Sequence, residues 1–373
     1  MSKKVLSVVL GAVMAFSVFG CAPAQEENGT SGDTSTASTV PAEVTFTDHD
    51  GVEVTVPANA KRIVVIGLSP IPAFIAMYTG TGENIVGMGA TSMKACKNGF
   101  IGEKFPEILN ANTEFMDGQK VNVEKLMALN PDLVILQAGD KEQRDMIDNA
   151  GLTTLGVGVS QFGYEIVETY NKWIEIFKQI FPENKSFDKV AGYIEENQKM
   201  IDSKVANISD EEREKIMFLF QYTPDKLVTS GNKFFGQYWA NRVGAVNVTE
   251  NIDGTQAPIT MEQVYEWQPE KIFITNFSPA TPENLYNNEI GSDDWSLVKA
   301  VQDKEVYKMP LASFNSYSMS TELPIVLLWM AKVTYPEQFK DIDITAETLS
   351  FYEDMYGIKL TEEQANAMFP VKQ

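Results

Sequence analysis

The chain has 373 residues, 51 of them acidic and 30 basic, and its formal net charge at pH 7 is −21. This negative charge argues against nucleic acid or an anionic lipid surface as a partner, because both would repel the protein. The single histidine disfavours a Ser-His-Asp triad and excludes a multi-histidine site for a bare transition metal.

The N-terminus predicts export. Two lysines precede an apolar stretch, residues 5–19, that is shorter than the about 20 apolar residues a membrane-spanning helix needs. Gly20-Cys21 follows and is similar to a bacterial lipoprotein cleavage site, with Cys21 as the lipidated residue. We therefore expect residues 1–20 to be a signal peptide and the mature protein to be anchored on the outer face of the cytoplasmic membrane. An ordinary secretory signal cleaved nearby is the alternative.

Residues 21–42 are rich in Ser, Thr, Gly and Glu and predict a flexible tether, because such a segment has too little apolar surface to offset its ordering entropy. If Cys21 carries lipid, Cys96 has no partner in the chain and no disulfide is expected. Cys96 is then expected to be a buried small hydrophobe.

A β-hairpin is predicted next, because two runs of alternating apolar residues, 44–46 and 52–56, flank an Asp-Gly pair. Asp48 and Asp50 beside His49 are an alternative cation site, although turn chemistry alone explains both aspartates.

Strands alternate with helices through the rest of the chain, which predicts parallel sheets covered by helices. The first half is predicted to contain strands at 62–67, 84–88, 132–136 and 153–159. One helix is predicted to end near residue 80 and a second to span 141–150. The second half is predicted to contain strands at 215–221 and 306–309, helices at 233–243 and 323–334, and helical segments from 339 onward.

An internal repeat links the two halves. Residues 121–136 (VNVEKLMALNPDLVIL) recur as residues 259–274 (ITMEQVYEWQPEKIFI). Asn122 and Thr260 are good N-cap residues, so each copy predicts a cap, a short helix, a proline turn and a buried strand. The repeat predicts two lobes built on one plan; independent use of a common helix–turn–strand arrangement is the alternative.

A helical stretch broken by Pro182 separates the halves. Its second part, about residues 185–206, carries apolar residues at helical spacing and is long enough, at about 1.5 Å per residue, to run along both lobes. These residues are Phe187, Val190, Ala191, Ile194, Ile201 and Val205.

From Val44 to Phe339 the chain resembles the binding proteins of iron-chelate, haem and cobalamin ABC importers. The resemblance lies in the order and spacing of several short motifs: the hairpin with 61–65, 122–126 with 130–134, 231–235, 242–248, 259–264, 295–307 and 327–339. It implies an α/β fold with two Rossmann-like lobes whose parallel sheets are bridged by a single long helix. The implied domains are an N-terminal lobe (43–163), a helical bridge (164–206), a C-terminal lobe (207–335) and a C-terminal helical tail (336–373).

Ligands of open α/β sheets bind beyond the carboxyl ends of the strands. The predicted cleft residues of the first lobe are Ser69, Pro70, Thr91, Met93, Gln137, Gly139, Asp140, Gln161 and Phe162. Those of the second lobe are Tyr222, Phe234, Phe235, Trp239, Asn276, Phe277, Phe314, Asn315 and Tyr317. Core packing is the alternative for each aromatic residue.

The resemblance favours a metal chelate as ligand, either a ferric siderophore or haem, and implies no resident cofactor. Haem stays open because Tyr and Met can act as axial ligands. A corrinoid is weakened, since this chain has Thr91, Gly118 and Gln137 where cobalamin-binding members place aromatic residues. Anionic chelates would need cleft cations, for which the candidates are Lys94, Lys97, Lys226, Lys233 and Arg242.

The resemblance also implies that Glu124 and Glu262, one in each copy of the repeat, dock onto arginines of the two permease subunits. Stabilisation of a helix N-terminus is the alternative role for each glutamate. A surface hydrolase and a non-transport surface binder or sensor are the alternative functions. The sequence disfavours a hydrolase, because it contains neither a nucleophile elbow nor a second histidine. A monomeric, non-enzymatic binding protein that partners an ABC permease and its ATPase is the favoured interpretation.

Overall fold

The computed structural model describes residues 42–118 and 120–371, and these residues belong to one compact unit. The predicted signal peptide, Cys21 and all but the last residue of the tether lie outside the described residues. No helix in the described ranges has the length and apolar character needed to cross a bilayer.

The strands in chain order are β1 (Glu43–Thr47), β2 (Glu53–Pro57), β3 (Ile63–Ile66), β4 (Ile85–Met88), β5 (Met116–Asp117), β6 (Lys120–Val121), β7 (Leu133–Gln137), β8 (Thr154–Val157), β9 (Lys215–Thr223), β10 (Lys226–Ser230), β11 (Val246–Asn247), β12 (Gln256–Pro258), β13 (Lys271–Ile274) and β14 (Val306–Lys308). The helices are α1 (Ile71–Thr79), α2 (Ala90–Asn98), α3 (Phe100–Lys104), α4 (Val123–Ala128), α5 (Lys141–Asn149), α6 (Ile166–Ile180), α7 (Ser186–Val205), α8 (Phe235–Val243), α9 (Met261–Trp267), α10 (Pro282–Tyr286), α11 (Lys299–Gln302), α12 (Leu323–Thr334), α13 (Ile344–Tyr356) and α14 (Glu362–Met368).

Two sheets organise the described residues. The first has the strand order β4-β3-β7-β8 and is parallel throughout, with Ile63–Ile66 and Leu133–Leu136 fully buried. The second contains β9, β13 and β14 in parallel, and adds β10 and β12 as antiparallel strands at one edge. The predicted α/β class is therefore confirmed, with a second sheet that is mixed.

The sequence repeat occupies the same place in both sheets. In the first, α4 leads into β7, which pairs with β3; in the second, α9 leads into β13, which pairs with β9. A further strand pairs in parallel on the other side of each central strand, β4 with β3 and β11 with β9. The order β4-β3-β7-β8 thus matches β11-β9-β13-β14, as expected for two halves built on one plan.

The helix between the halves is α7, whose 20 residues correspond to a length of about 30 Å. Its buried apolar residues are Phe187, Val190, Ile194 and Ile201, as the spacing predicts. Of the other predicted residues, Val205 is half-buried and Ala191 is exposed. The helix packs against α6, α8, α12 and α13, so both halves and the tail contact it.

The hairpin of β1 and β2 forms as predicted, with Thr47 paired to Glu53, and its turn closes against the first sheet. Arg144 donates to Asp48 at 2.7 Å and to Asp50 at 2.9 Å, and the backbone N–H of Gly156 donates to Asp48 at 2.8 Å. Both carboxylates are thereby used to fix the turn on α5 and β8. This pairing explains Asp48 and Asp50 without the cation considered from the sequence.

Candidate functional site

A cavity of about 630 Å³ lies between the two sheets, at the carboxyl ends of β4, β13 and β14. Its position agrees with the rule that ligands of open α/β sheets bind where strands give way to loops and helices. The lining residues are Thr91, Lys94, Ala95, Asn98, Asn276, Phe277, Ser278, Pro279, Lys308, Met309, Pro310, Leu311, Asn315, Ala367, Met368 and Pro370.

Helix α2 supplies one wall. Its lining residues, Thr91, Lys94, Ala95 and Asn98, follow the spacing i, i+3, i+4, i+7 and therefore share one face of the helix. The next residue, Gly99, lies so close to the loop after β14 that an added Cβ would be 3.0 Å from the carbonyl oxygen of Ala312. A glycine at this position lets α2 sit directly beside the loop after β14.

The loops after β13 and β14 supply the facing wall. The side-chain amide of Asn276 donates to the carbonyls of Met309 (2.8 Å) and Pro310 (3.2 Å), which ties the two loops together. The Phe277 ring is stacked on Phe220 with 5.3 Å between centroids and remains 36% exposed. This exposed ring offers an apolar surface at the edge of the cavity.

Lys308 gives the cavity a partly buried cation. Its ammonium group donates to the carbonyls of Thr275 (3.0 Å), Ser278 (2.7 Å) and Ala280 (2.8 Å). Burial lowers the pKa of Lys308 to about 8, because desolvation disfavours the charged form. Carbonyl dipoles surround the charge, and no ion pair with a carboxylate forms in the described ranges.

The charge of the cavity is opposite to that of the whole protein. Among the described lining residues, Lys94 and Lys308 carry the only formal charges, whereas the whole chain has a net charge of −21. A concave site lined by cations and amides is suited to an anion.

The comparison with known families decides what kind of protein this is. The family model described as periplasmic binding protein matches residues 63–312, two thirds of the chain. The chain belongs to the periplasmic binding protein family. It is accordingly a substrate-binding protein of an ABC importer that works outside the cytoplasm, and it is not an enzyme.

Several relatives cover most of this periplasmic binding protein. It is 24% identical to the molybdate-binding protein MolA of Haemophilus influenzae over 86% of this chain and 93% of the relative. It is 22% identical to the iron(3+)-hydroxamate-binding protein YxeB of Bacillus subtilis, over 87% and 96% respectively. Among solved structures, a periplasmic solute binding protein from Veillonella parvula matches with a TM-score of 0.78 at 22% identity, over 88% of this chain and 97% of that one.

Of the residues predicted for the cleft of this binding protein, four line the cavity together. Thr91 comes from α2, Asn276 and Phe277 follow β13, and Asn315 follows β14. Met93 lies on α2 but is buried and does not line the cavity.

A second group lies around the carboxyl ends of β3, β7 and β8 without lining the cavity. It consists of Ser69, Pro70, Gln137, Gly139, Asp140, Gln161 and Phe162. Two of these side chains interact with nearby residues: Asp140 caps α5 by accepting a hydrogen bond from the N–H of Gln143, and the Phe162 ring packs edge-on against His49. His49 also accepts a hydrogen bond from the N–H of Gly158 at 2.8 Å, and burial lowers its pKa.

The remaining aromatic candidates are in the core, so core packing, the alternative role of these residues, describes them. Tyr222, Trp239, Phe314 and Tyr317 are each at most 1% exposed, and none lines the cavity. Trp239 donates to the carbonyl of Tyr317 at 2.8 Å. Phe234 and Phe235 are also buried, where both contact the ring of Tyr164. The structure therefore places none of these six residues on the wall of this cavity.

For Phe314 and Tyr317 the cause lies in the loop 311–321, whose sequence is polar but which is largely buried. Two of its serines have internal partners: Ser313 donates to the buried carboxylate of Glu322 at 2.6 Å, and Ser318 donates to the carbonyl of Asn315 at 3.2 Å. The buried hydroxyls of Ser316, Tyr317 and Ser320 have no hydrogen-bond partner among the described residues. The loop is therefore buried with its hydrogen bonds only partly satisfied, and Tyr317 packs inward against the rings of Phe218 and Phe235.

Sequence reasoning missed Lys308, Asn98 and the C-terminal residues of the cavity. The spacing of Thr91, Lys94 and Asn98 on one helical face was a usable signal for α2. Lys308 is the last residue of β14, and this position places it at the carboxyl edge of the sheet, where ligands are expected. Nothing local in the sequence indicates that residues 367–370 reach the cavity.

Glu124 and Glu262 occupy matching positions on the surface. Each is exposed and is the second residue of its helix, after Asn122 in α4 and Thr260 in α9. The pKa of the Glu262 carboxyl is lowered by a hydrogen bond from the residue's own backbone N–H and, to a smaller extent, by one from the Thr260 hydroxyl. Because a helix that leads into a strand of a parallel sheet runs antiparallel to that strand, both glutamates lie toward the carboxyl edges of their sheets.

Proposed function

We propose that this binding protein captures an anionic metal chelate, with a ferric siderophore favoured, and delivers it to an ABC permease. The observation that carries the proposal is the cavity in which Lys94 and Lys308 are the only formal charges among the described lining residues. A chelate with an oxygen-rich, negatively charged periphery can accept hydrogen bonds from Lys94 and from the amides of Asn98 and Asn315. Lys308, whose N–H groups donate to three backbone carbonyls, would contribute through its charge.

The size of the cavity supports a chelate. Its volume of about 630 Å³ lies within the range of about 300–1,000 Å³ that is typical of sites for organic ligands. The exposed face of Phe277 adds an apolar contact for the organic part of such a ligand. Similarity to an iron(3+)-hydroxamate-binding protein over most of both chains supports the same class.

A tetraoxoanion such as molybdate is the second candidate, favoured by the 24% identity to MolA and by the lysine pair. Haem has less support, because the described lining residues include two methionines, both buried, and neither Tyr nor His. A corrinoid is supported by similarity to vitamin B12-binding proteins, although over only 58–59% of this chain. A surface binder without transport stays an alternative.

Titration of the purified protein tests the ligand class. Calorimetry and absorption spectra with an iron(III) trihydroxamate, an iron(III) tricatecholate, molybdate, haemin and cyanocobalamin should give the tightest binding with one of the iron chelates. Tightest binding to molybdate would replace the proposal by the second candidate. Binding of haemin or cyanocobalamin alone would refute it.

Lys94 offers a charge test with a matched control. Lys94→Gln should weaken binding of an anionic chelate about fivefold, equivalent to about 1 kcal/mol for a solvent-exposed charge pair. Lys97→Gln removes an exposed charge from the same helix without touching the cavity and should leave affinity unchanged. Equal effects of both variants would mean that only the net charge matters.

We further propose that Glu124 and Glu262 register the protein on its permease through arginine–carboxylate pairs. A binder with two similar halves meeting a two-fold symmetric permease needs one charge on each half. Bidentate arginine pairs add geometric specificity. Stabilisation of the helix N-terminus, worth about 0.3–1 kcal/mol, is the competing explanation.

The described fold contains controls for that explanation. Glu142 in α5 and Glu283 in α10 are also exposed and also occupy the second helical position. The Glu124→Ala/Glu262→Ala double variant should abolish stimulation of the transporter ATPase and keep ligand affinity. The Glu142→Ala/Glu283→Ala variant should retain stimulation. Equal stimulation by both double variants would exclude the docking role.

The lipid anchor on Cys21 is also a proposal, supported by the sequence around it and by similarity to a B. subtilis substrate-binding lipoprotein, YvrC. Cys21→Ala should release the protein from membranes and prevent incorporation of labelled palmitate. Continued membrane association without label would point to another anchor.

A further inference from the structure

The C-terminal segment of the described chain, Thr361–Val371, forms one side of the proposed ligand cavity. Ala367, Met368 and Pro370 line the cavity together with α2 and the loops after β13 and β14. These three residues lie beyond the region matched by the family model, which ends at residue 312. The cavity thus has a wall built from sequence outside that region.

Tertiary contacts hold this wall in place. Phe369 and Met368 are buried, and the indole N–H of Trp329 donates to the carbonyl of Pro370 at 2.8 Å. On the other side, the amide of Gln364 donates to Glu103 at 3.0 Å, which connects the segment to α3. A segment held by buried side chains on one side and by a surface hydrogen bond on the other is expected to be ordered.

The surface that the segment presents to the cavity is small and uncharged. Ala367 and Pro370 are exposed, whereas Met368 is turned into the core beside Tyr352. The small side chain of Ala367 leaves the cavity beside it open. Because packed walls yield little, a larger side chain at this position would remove that space.

We infer that the segment Thr361–Val371 is a specificity element, in which Ala367 and Pro370 limit how far a ligand can extend away from Lys94 and Lys308. The inference rests on the proposed function, because it takes the ligand to occupy this cavity. The segment acts by exclusion, which is a recognised route to specificity: bulky competitors meet a fixed wall, and ligands of the right length do not.

A graded substitution tests the inference with an iron(III) trihydroxamate as the probe. Ala367→Leu should weaken binding and Ala367→Trp should weaken it at least tenfold, with melting temperatures close to that of the unaltered protein because position 367 is exposed. Glu363→Trp is the control, since it places the same bulk on an exposed position of α14 that does not line the cavity. Its affinity should stay within twofold.

A second measurement needs no ligand. A short bismaleimide should bridge Lys94→Cys and Ala367→Cys across the cavity, but should not bridge Lys141→Cys, on the far side of the first sheet, to Ala367→Cys. Burial raises the pKa of the native Cys96 to about 12, so this thiol should not compete.

The outcomes separate the two claims. Loss of binding in Ala367→Trp with a bridged first pair supports the wall. Unaltered affinity in Ala367→Trp, equal damage from Glu363→Trp, or no bridge would overturn it. If the unaltered protein binds no trihydroxamate although the bridge forms, the wall stands and the proposed ligand class is wrong.

Discussion

The charge of Lys308 should make ligand binding depend on pH. Burial lowers its pKa to about 8, so the charged fraction falls from about nine-tenths at pH 7 to about one-tenth at pH 9. An anionic ligand stabilises the charged form and therefore raises this pKa on binding. Binding near pH 8 should take up protons, and affinity should fall as the pH rises from 7 to 9.

The size of the effect follows from electrostatics. A unit charge at about 8 Å in a medium of effective dielectric constant about 40 contributes about 1 kcal/mol, which is a fivefold difference between charged and neutral lysine. Weighted by the two charged fractions, the affinity should fall about threefold between pH 7 and pH 9. The neighbouring carbonyls of Thr275, Ser278 and Ala280 cannot supply this dependence, because they do not titrate.

Calorimetry at several pH values, in buffers of different ionisation enthalpy, measures both the affinity and the proton uptake. The probe should be an iron(III) chelate whose own groups do not titrate between pH 7 and 9. Lys308→Arg is the matched variant, since a guanidinium group stays charged throughout and should flatten the profile. A flat profile in the unaltered protein, or a decline that persists in Lys308→Arg, would refute the role of Lys308.

Further predictions concern the core and the bridging helix. Arg144→Ala should lower the free energy of unfolding by about 3–5 kcal/mol in urea titrations, because Asp48 would be left buried without its partner; a change below 1 kcal/mol would contradict this. Tyr317→Ala should cost about 3–5 kcal/mol of stability as a large-to-small core substitution and leave ligand affinity unchanged, whereas weaker binding at full stability would return Tyr317 to the cleft. If α7 acts as a rigid spine, small-angle scattering should show nearly the same radius of gyration with and without ligand, and a large compaction would exclude it.

Sequence pattern predicted the sheets because their signals are local. A continuous β-branched run such as Ile63–Ile66 can hardly be placed anywhere but in a buried parallel strand, and the structure buries all four residues. The repeat was informative for the same reason: Asn122 and Thr260 each cap a short helix, and each helix leads into a strand beside the central one. Pro182 likewise separated α6 from α7.

The site was harder to predict because it depends on contacts between distant segments. Polarity suggested that the loop 311–321 faces the cleft, but the loop is largely buried, although only some of its hydroxyl groups, such as that of Ser313, have hydrogen-bond partners. Position near the end of a strand selected Asn276 and Phe277, which line the cavity, but also Tyr222, which is buried against Trp295. Only the folded structure brings Ala367 to the same cavity as Thr91.

The most direct test of the account is the position of the metal in crystals grown with an iron(III) trihydroxamate. An anomalous difference map collected at the iron absorption edge should show one peak inside the cavity formed by α2, the loops after β13 and β14, and the C-terminal segment, with Lys94 beside the chelate. A peak outside this cavity, for example beside Gln137 and Gln161 at the carboxyl ends of β7 and β8, would contradict the account.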